Sequence, residues 1–210
     1  MGCDIHVMIE AKRENCWGDR WVNVDNWRYN PYHGRYEDEP EIQLNAIYTG
    51  RDYELFSFLA GVRNYGGNPS FGFDRGFPED ASKQIAEKYK SWGRDAHTPG
   101  YCTLKELKEA AAGVKSVRRE GAVAKSQVDR YRETGKTPDS WAQGIGCWKG
   151  IAPKYADKFE WLVWEDEVHC FDRLIAAIEE RKRDVFWTFR PEDDDSIHDS
   201  EIRIVFWFDN

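Results

Sequence analysis

The sequence predicts an α+β fold: an antiparallel sheet built from an N-terminal and a C-terminal β-hairpin, covered by several helices, with a helical insertion over 113–150 at its periphery. Three observations carry this. Residues 4–11, D-I-H-V-M-I-E-A, alternate apolar and polar groups, the period of a strand. Residues 201–208, E-I-R-I-V-F-W-F, open with the same alternation and are rich in strand-favouring side chains. Between them the apolar residues fall repeatedly at spacings of three and four, the period of amphipathic helices. At 210 residues and 40% hydrophobic content the chain suits one domain, 1–210, with the insertion as a lobe.

Each element has a local reason. Residues 13–19, R-E-N-C-W-G-D, are turn-like and Trp21 to Asp25 alternates again, so the first 26 residues predict a hairpin. Residues 28–50, rich in Tyr, Pro, Asn and Gly, predict an ordered loop. Asp52 can cap a helix that runs to Arg63 with Leu55, Phe56, Leu59 and Val62 on one face. Residues 64–80 form a long Gly/Pro-rich loop whose four aromatics argue for order. A helix follows over Ala81 to Trp92, then a loop over 94–102, and Thr103 with Glu106 makes a capping box for the next helix. Residues 113–135 carry many charges and few large apolar groups, which suits a protruding helix or helical hairpin. From 157 to 182, Trp161, Trp164, Val168, Phe171, Ile175 and Ile178 are spaced 3, 4, 3, 4 and 3 apart, predicting one long amphipathic helix that permits a homodimer. V-F-W-T-F-R at 185–190, an acidic turn and the closing strand predict the second hairpin.

Composition excludes some classes of function. The formal net charge of −8 makes the chain a poor generic partner for nucleic acid, whose phosphates supply most of such affinity. No segment approaches the roughly 18 uncharged apolar residues of a membrane span. The run Ile5 to Ile9 is too short for a secretory signal and is interrupted by His6. Five cysteines without a C-x-x-C fit reduced thiols in a cytoplasm.

Chemistry gathers at two Asp-x-His pairs. On a strand, Ile5, Val7 and Ile9 face the core while Asp4, His6, Met8 and Glu10 share the other face. A carboxylate beside an imidazole raises its pKa and fixes its orientation. Asp95 and His97 repeat the pair in the loop before the capped helix. Arg51, Arg63 and Arg75 lie at loops or helix ends, and guanidinium forks match phosphate and carboxylate geometry. Tyr101 offers a ring on which a flat ligand can stack. His6 and His97 are therefore the candidate acid and base, and Asp4, Arg51, Arg63, Arg75, Asp95 and Tyr101 the candidate ligand-binding groups. Asp4, His6, Asp95 and His97 are also the candidate metal ligands, and the sequence names no cofactor. No Walker loop, dinucleotide fingerprint or H-E-x-x-H is present. The plainer alternative is a solvated polar strand face and arginines paired with surface acids.

M-G-C-D-I-H, R-D-Y-E-L-F-S-F-L-A-G-V-R-N, R-G-F-P-E-D-A-S, D-A-H-T-P-G-Y-C-T-L-K-E-L and R-I-V-F-W-F-D-N together resemble a group of phage and prophage proteins with no assigned chemistry. The resemblance covers most of the chain except 113–155. It implies a bacterial cytoplasmic setting during infection, and by analogy a role against host defence. The expected function is capture of a small phosphate-bearing, nucleotide-like ligand, such as a host immune signal. The alternatives are phosphoester hydrolysis by His6 and His97, with or without a metal, and contact with a host protein through 113–135.

Overall fold

The computed structural model describes residues 2–13, 20–35, 40–189 and 197–209. In chain order its elements are β1 (Ile5–Arg13), β2 (Arg20–Asn23), β3 (Asn26–Tyr29), β4 (Ile42–Asn45), α1 (Tyr53–Ala60), α2 (Lys83–Ser91), β5 (His97–Thr103), α3 (Leu104–Gly113), β6 (Ser116–Ala124), α4 (Lys125–Thr134), β7 (Gly144–Ile145), β8 (Gly150–Ile151), β9 (Phe159–Glu167), α5 (Asp172–Phe189) and β10 (Ile202–Phe208). They form two compact units, Met1–Gly113 with Cys170–Asn210, and Val114–His169. The second begins where the sequence predicts the insertion and continues past 150.

The first unit is α+β, and its four-stranded antiparallel sheet has the order β2-β1-β10-β5. The N-terminal and C-terminal strands pair directly, from Ile5 opposite Phe208 to Ala11 opposite Ile202. β2 completes the N-terminal hairpin, whose turn at 14–19 lies outside the described residues. The expected C-terminal hairpin does not form, because residues 185–189 are the last turns of α5. The spacings of Leu174, Ile178 and Val185, four and seven, continue a helical period through that aromatic run. The acidic turn expected after it lies outside the described residues. β10 takes β5 as its second neighbour instead, from Arg203 opposite Thr103 to Phe208 opposite His97, in a stretch the sequence predicts as loop.

β5 accommodates its Pro and Gly for identifiable reasons. Its outer side is covered by residues 73–76: the Tyr101 N–H donates to Phe73 O at 3.0 Å, and the Gly76 N–H to Pro99 O at 3.2 Å. That approach is so close that a Cβ on Gly100 would stand 2.2 Å from Phe73 O and 2.6 Å from the Phe206 ring. A strand edge is thereby closed to further pairing.

Both faces of the sheet are buried. Ile5, Val7 and Ile9 face a core in which α1 lays Phe56 against Phe208, ring centroids 5.1 Å apart. On the opposite face, Met8 packs with Leu44, Ile85, Val205 and Trp207. The polar face expected of β1 is thus mostly a second core. Glu10, fully buried there, survives because Arg203 Nε donates to its Oε2 at 2.7 Å and the Ser82 N–H to its Oε1 at 2.6 Å. Residues 28–50, expected as loop, contribute to the β3–β4 ribbon, which pairs Asn26 with Asn45 and Tyr29 with Ile42.

The predicted caps hold. Asp52 accepts from the Glu54 and Leu55 N–H groups at the start of α1. Thr103 Oγ1 accepts from the Glu106 N–H at 3.1 Å, and Glu106 Oε2 from the Thr103 N–H at 2.7 Å.

The second unit departs from the expected helices. β6 pairs with β9 along nine residues, Ser116 opposite Glu167 to Ala124 opposite Phe159. α4 covers one side, where Val123, Val128, Leu162 and Trp164 form a small core. The long helix predicted from 157 begins only at Asp172. Leu162 and Trp164 are buried and Val163 is exposed, so period two prevails over the three-and-four spacing that Trp161 and Trp164 also satisfy. Among the described residues no helix is long and apolar enough to cross a membrane.

Candidate functional site

The site lies at one end of the sheet, where β1 begins and β10 ends. Asp209 continues the β10 ladder: its N–H donates to Asp4 O at 3.1 Å, and its Oδ1 accepts from the Asp4 N–H at 3.0 Å. Its second oxygen, Oδ2, meets His6 Nε2 at 3.0 Å. A carboxylate so anchored fixes the orientation of the imidazole and favours a proton on Nε2. Trp92 and Trp207 flank the ring, with centroids 4.2 and 5.6 Å away. His6 and Asp209 are mostly buried but keep 15% and 17% of their side-chain surface open.

Asp4 points to Arg51. Arg51 Nε and Nη2 donate to the two Asp4 oxygens, each at 2.6 Å, a bidentate fork. These hydrogen bonds hold the Asp4 carboxyl below its ordinary range and raise the guanidinium further.

A second cluster centres on Cys3, whose side chain is fully buried. His97 Nε2 lies 3.9 Å from Cys3 Sγ, and Arg63 hydrogen-bonds the thiol. Burial pushes the thiol pKa up, and the Arg63 contact offsets part of that rise. The two non-glycine residues with positive φ among the described residues both serve this cluster: Arg63 at 51° and Thr98 at 47°. Thr98 precedes Pro99, where such a φ is doubly disfavoured. It belongs to a bulge, since Phe206 faces Gly100 and Phe208 faces His97, leaving Thr98 and Pro99 opposite Trp207 alone. Without that extra residue Thr98 would face Phe208. With it, His97 stacks on Phe208 at 5.9 Å and its Nδ1 meets Thr98 Oγ1 at 3.0 Å.

The register therefore separates the two candidate histidines. His6 pairs with Trp207 and His97 with Phe208, consecutive residues whose side chains point to opposite faces. The structure brings Asp4, His6 and Arg51 together with Asp209, and sets His97 and Arg63 around Cys3 on the neighbouring face. Arg75 stands elsewhere, paired with Glu106 at 2.8 Å and lying over the rings of Phe73 and Tyr101. Tyr101 packs against the Met8–Trp207 core, and Asp95 is exposed at the end of the turn after α2. Among the described residues no group of three or more His, Cys, Asp or Glu is arranged to hold a metal.

Arg51 and Arg63 bracket α1, and two tyrosines accompany them. Tyr53 and Tyr65 meet edge to face at 6.3 Å, and Arg63 Nη1 donates to the Tyr65 hydroxyl at 3.3 Å. Tyr65 is 60% exposed. Sequence reasoning missed Cys3 and these tyrosines as site residues, and it counted Asp209 among the polar positions a shared site could gather without giving it a role. Asp209 alone carried a signal, an acid directly after a strand predicted to share the sheet of Asp4.

No protein-family model matches the chain, and neither does a curated protein or a solved structure.

Proposed function

We propose that the chain binds a small phosphate-bearing, nucleotide-like ligand at this end of the sheet. One observation supports the reading above the others: Arg51 and Arg63, from opposite ends of α1, both reach the residues just before β1, at Asp4 and Cys3. Two guanidiniums beside exposed tyrosine suit a ligand with an anionic end and a flat ring. The resemblance to phage proteins adds the biological half of the proposal, sequestration of a host nucleotide signal. Calorimetric titration with nucleoside mono-, di- and triphosphates tests it. Saturable binding is expected, weakened about tenfold or more in Arg51→Ala and Arg63→Ala, as for loss of a charge-assisted contact. Absence of binding across the panel overturns it.

A second reading, hydrolysis of the same ligand, draws on the His6–Asp209 pair, which has the form of an oriented general base. Chromatography of the incubated panel separates the two. Products that vanish in His6→Ala support turnover, and intact ligand recovered after denaturation supports capture.

A further inference from the structure

We propose that Arg51 is a subsite for a terminal phosphomonoester, and that Asp4 is the group that excludes singly charged phosphodiesters from it. The inference rests on the phosphate-binding reading above. In the free protein the Asp4 carboxylate already occupies both donors of the Arg51 fork, with the two-oxygen geometry a phosphoryl group would use. Residue 2 fixes the other side of that fork: a Cβ on Gly2 would fall 2.6–2.8 Å from the guanidinium atoms, so the bare backbone abuts it.

The pair is built to exchange. Its side chains are 53% and 41% exposed, and an ion pair so accessible to water contributes little to stability. A ligand anion that takes the fork must still release Asp4, a fixed cost independent of the ligand. The gain scales with ligand charge, because Coulomb attraction to one guanidinium is twice as large for a dianion as for a monoanion. A phosphodiester carries one charge, the same as the carboxylate it displaces, and gains nothing by the exchange. A terminal phosphate carries close to two above its second pKa, about 6. Asp209, anchored by the Asp4 N–H beside the fork, keeps a second negative charge nearby and adds to the cost for any anion.

The experiment measures calorimetric Kd values at pH 8 for the four nucleoside 5′-monophosphates and their phosphate methyl esters. Wild type and Asp4→Asn are compared, with circular dichroism confirming unchanged folding. In wild type the monophosphate that binds is expected to do so at least about fivefold tighter than its methyl ester. Asp4→Asn is expected to tighten both by about two- to fivefold, the worth of an exposed ion pair. Lowering the pH to 5, where the phosphate loses its second charge, is expected to erase the preference for the monophosphate in wild type. Equal affinity for monophosphate and ester, both lost in Arg51→Ala, overturns the selection while leaving phosphate binding intact. Weaker binding in Asp4→Asn makes Asp4 a ligand-holding group and overturns it too. If no monophosphate binds either protein, the selection falls, and with it, if the di- and triphosphates also fail, the phosphate reading itself.

Discussion

Asp25 should make the fold less stable as the solution becomes less acidic. The side chain is 5% exposed, between β2 and β3. Its Oδ2 accepts from the Ile9 N–H at 3.0 Å and from Asn23 Nδ2 at 2.6 Å, while Oδ1 has no hydrogen-bond partner among the described residues. Burial raises its pKa from 3.8 to about 7, against the opposing pull of those two donors and of Arg181. A carboxyl whose folded pKa exceeds its unfolded one holds its proton longer in the folded state. Its stabilising effect is full below the unfolded value and is lost as pH rises through the folded one. With those two pKa values the linkage relation gives a loss of about 2.5 kcal/mol between pH 5 and pH 8. Asp25→Asn keeps the shape and removes the titration. Urea denaturation of both proteins at the two pH values isolates the effect, because every histidine contributes equally to both. The variant should gain about 2.5 kcal/mol on wild type from pH 5 to pH 8. Parallel pH profiles would show that Asp25 ionises normally, and the reasoning from its burial would fail.

The Glu10–Arg203 pair should behave as a buried unit. Arg203 also donates to Asp80 Oδ1 at 2.6 Å and lies over the Trp21 ring at 4.4 Å, so Arg203→Ala strands a fully buried carboxylate and should cost about 3–5 kcal/mol. Replacing both partners, Glu10→Leu with Arg203→Met, should recover most of that in chemical denaturation, and failure to recover would mean that packing rather than charge holds the site. Gly100→Ala should destabilise by more than 1 kcal/mol, since its Cβ meets backbone at 2.2 Å and must displace residues 73–76 from β5. An unchanged melting temperature would contradict that close approach.

What could be read in the sequence was local. Asp52 before an apolar face and Thr103 with Glu106 carry their meaning within one helical turn, and both caps form. The alternation in 4–11 likewise belongs to the strand itself. Misread segments were those whose conformation a distant partner decides. Pro99 and Gly100 look like strand breakers, yet one sits in a bulge and the other is required by the chain beside it. Trp161 and Trp164 satisfy a helical spacing, Leu162 and Trp164 a strand spacing, and β6 decides between them. The site divides the same way. Asp4 and His6 share a face because they are two residues apart on one strand. Asp209 joins them only through the register of β1 on β10, and a bulge that no periodicity encodes turns His97 toward Cys3.

The central pairing of the sheet has a kinetic consequence. Ile5 meets Phe208, so the two inner strands are separated by nearly the whole length of the chain. Their contact is strongly non-local, and such contacts form slowly because a large loop must close before they contribute any stability. During synthesis β1, apolar on both sides, must wait for β10 to emerge before it has its inner neighbour. In the meantime its other edge is covered by early residues, β2 at Glu10 to Arg13, Val24 and Asp25 at Ile9 and Ile47 at Val7, while the edge that β10 takes stays unpaired. The segment that carries Asp4 and His6 is thus also the one most exposed to misassociation before the fold closes.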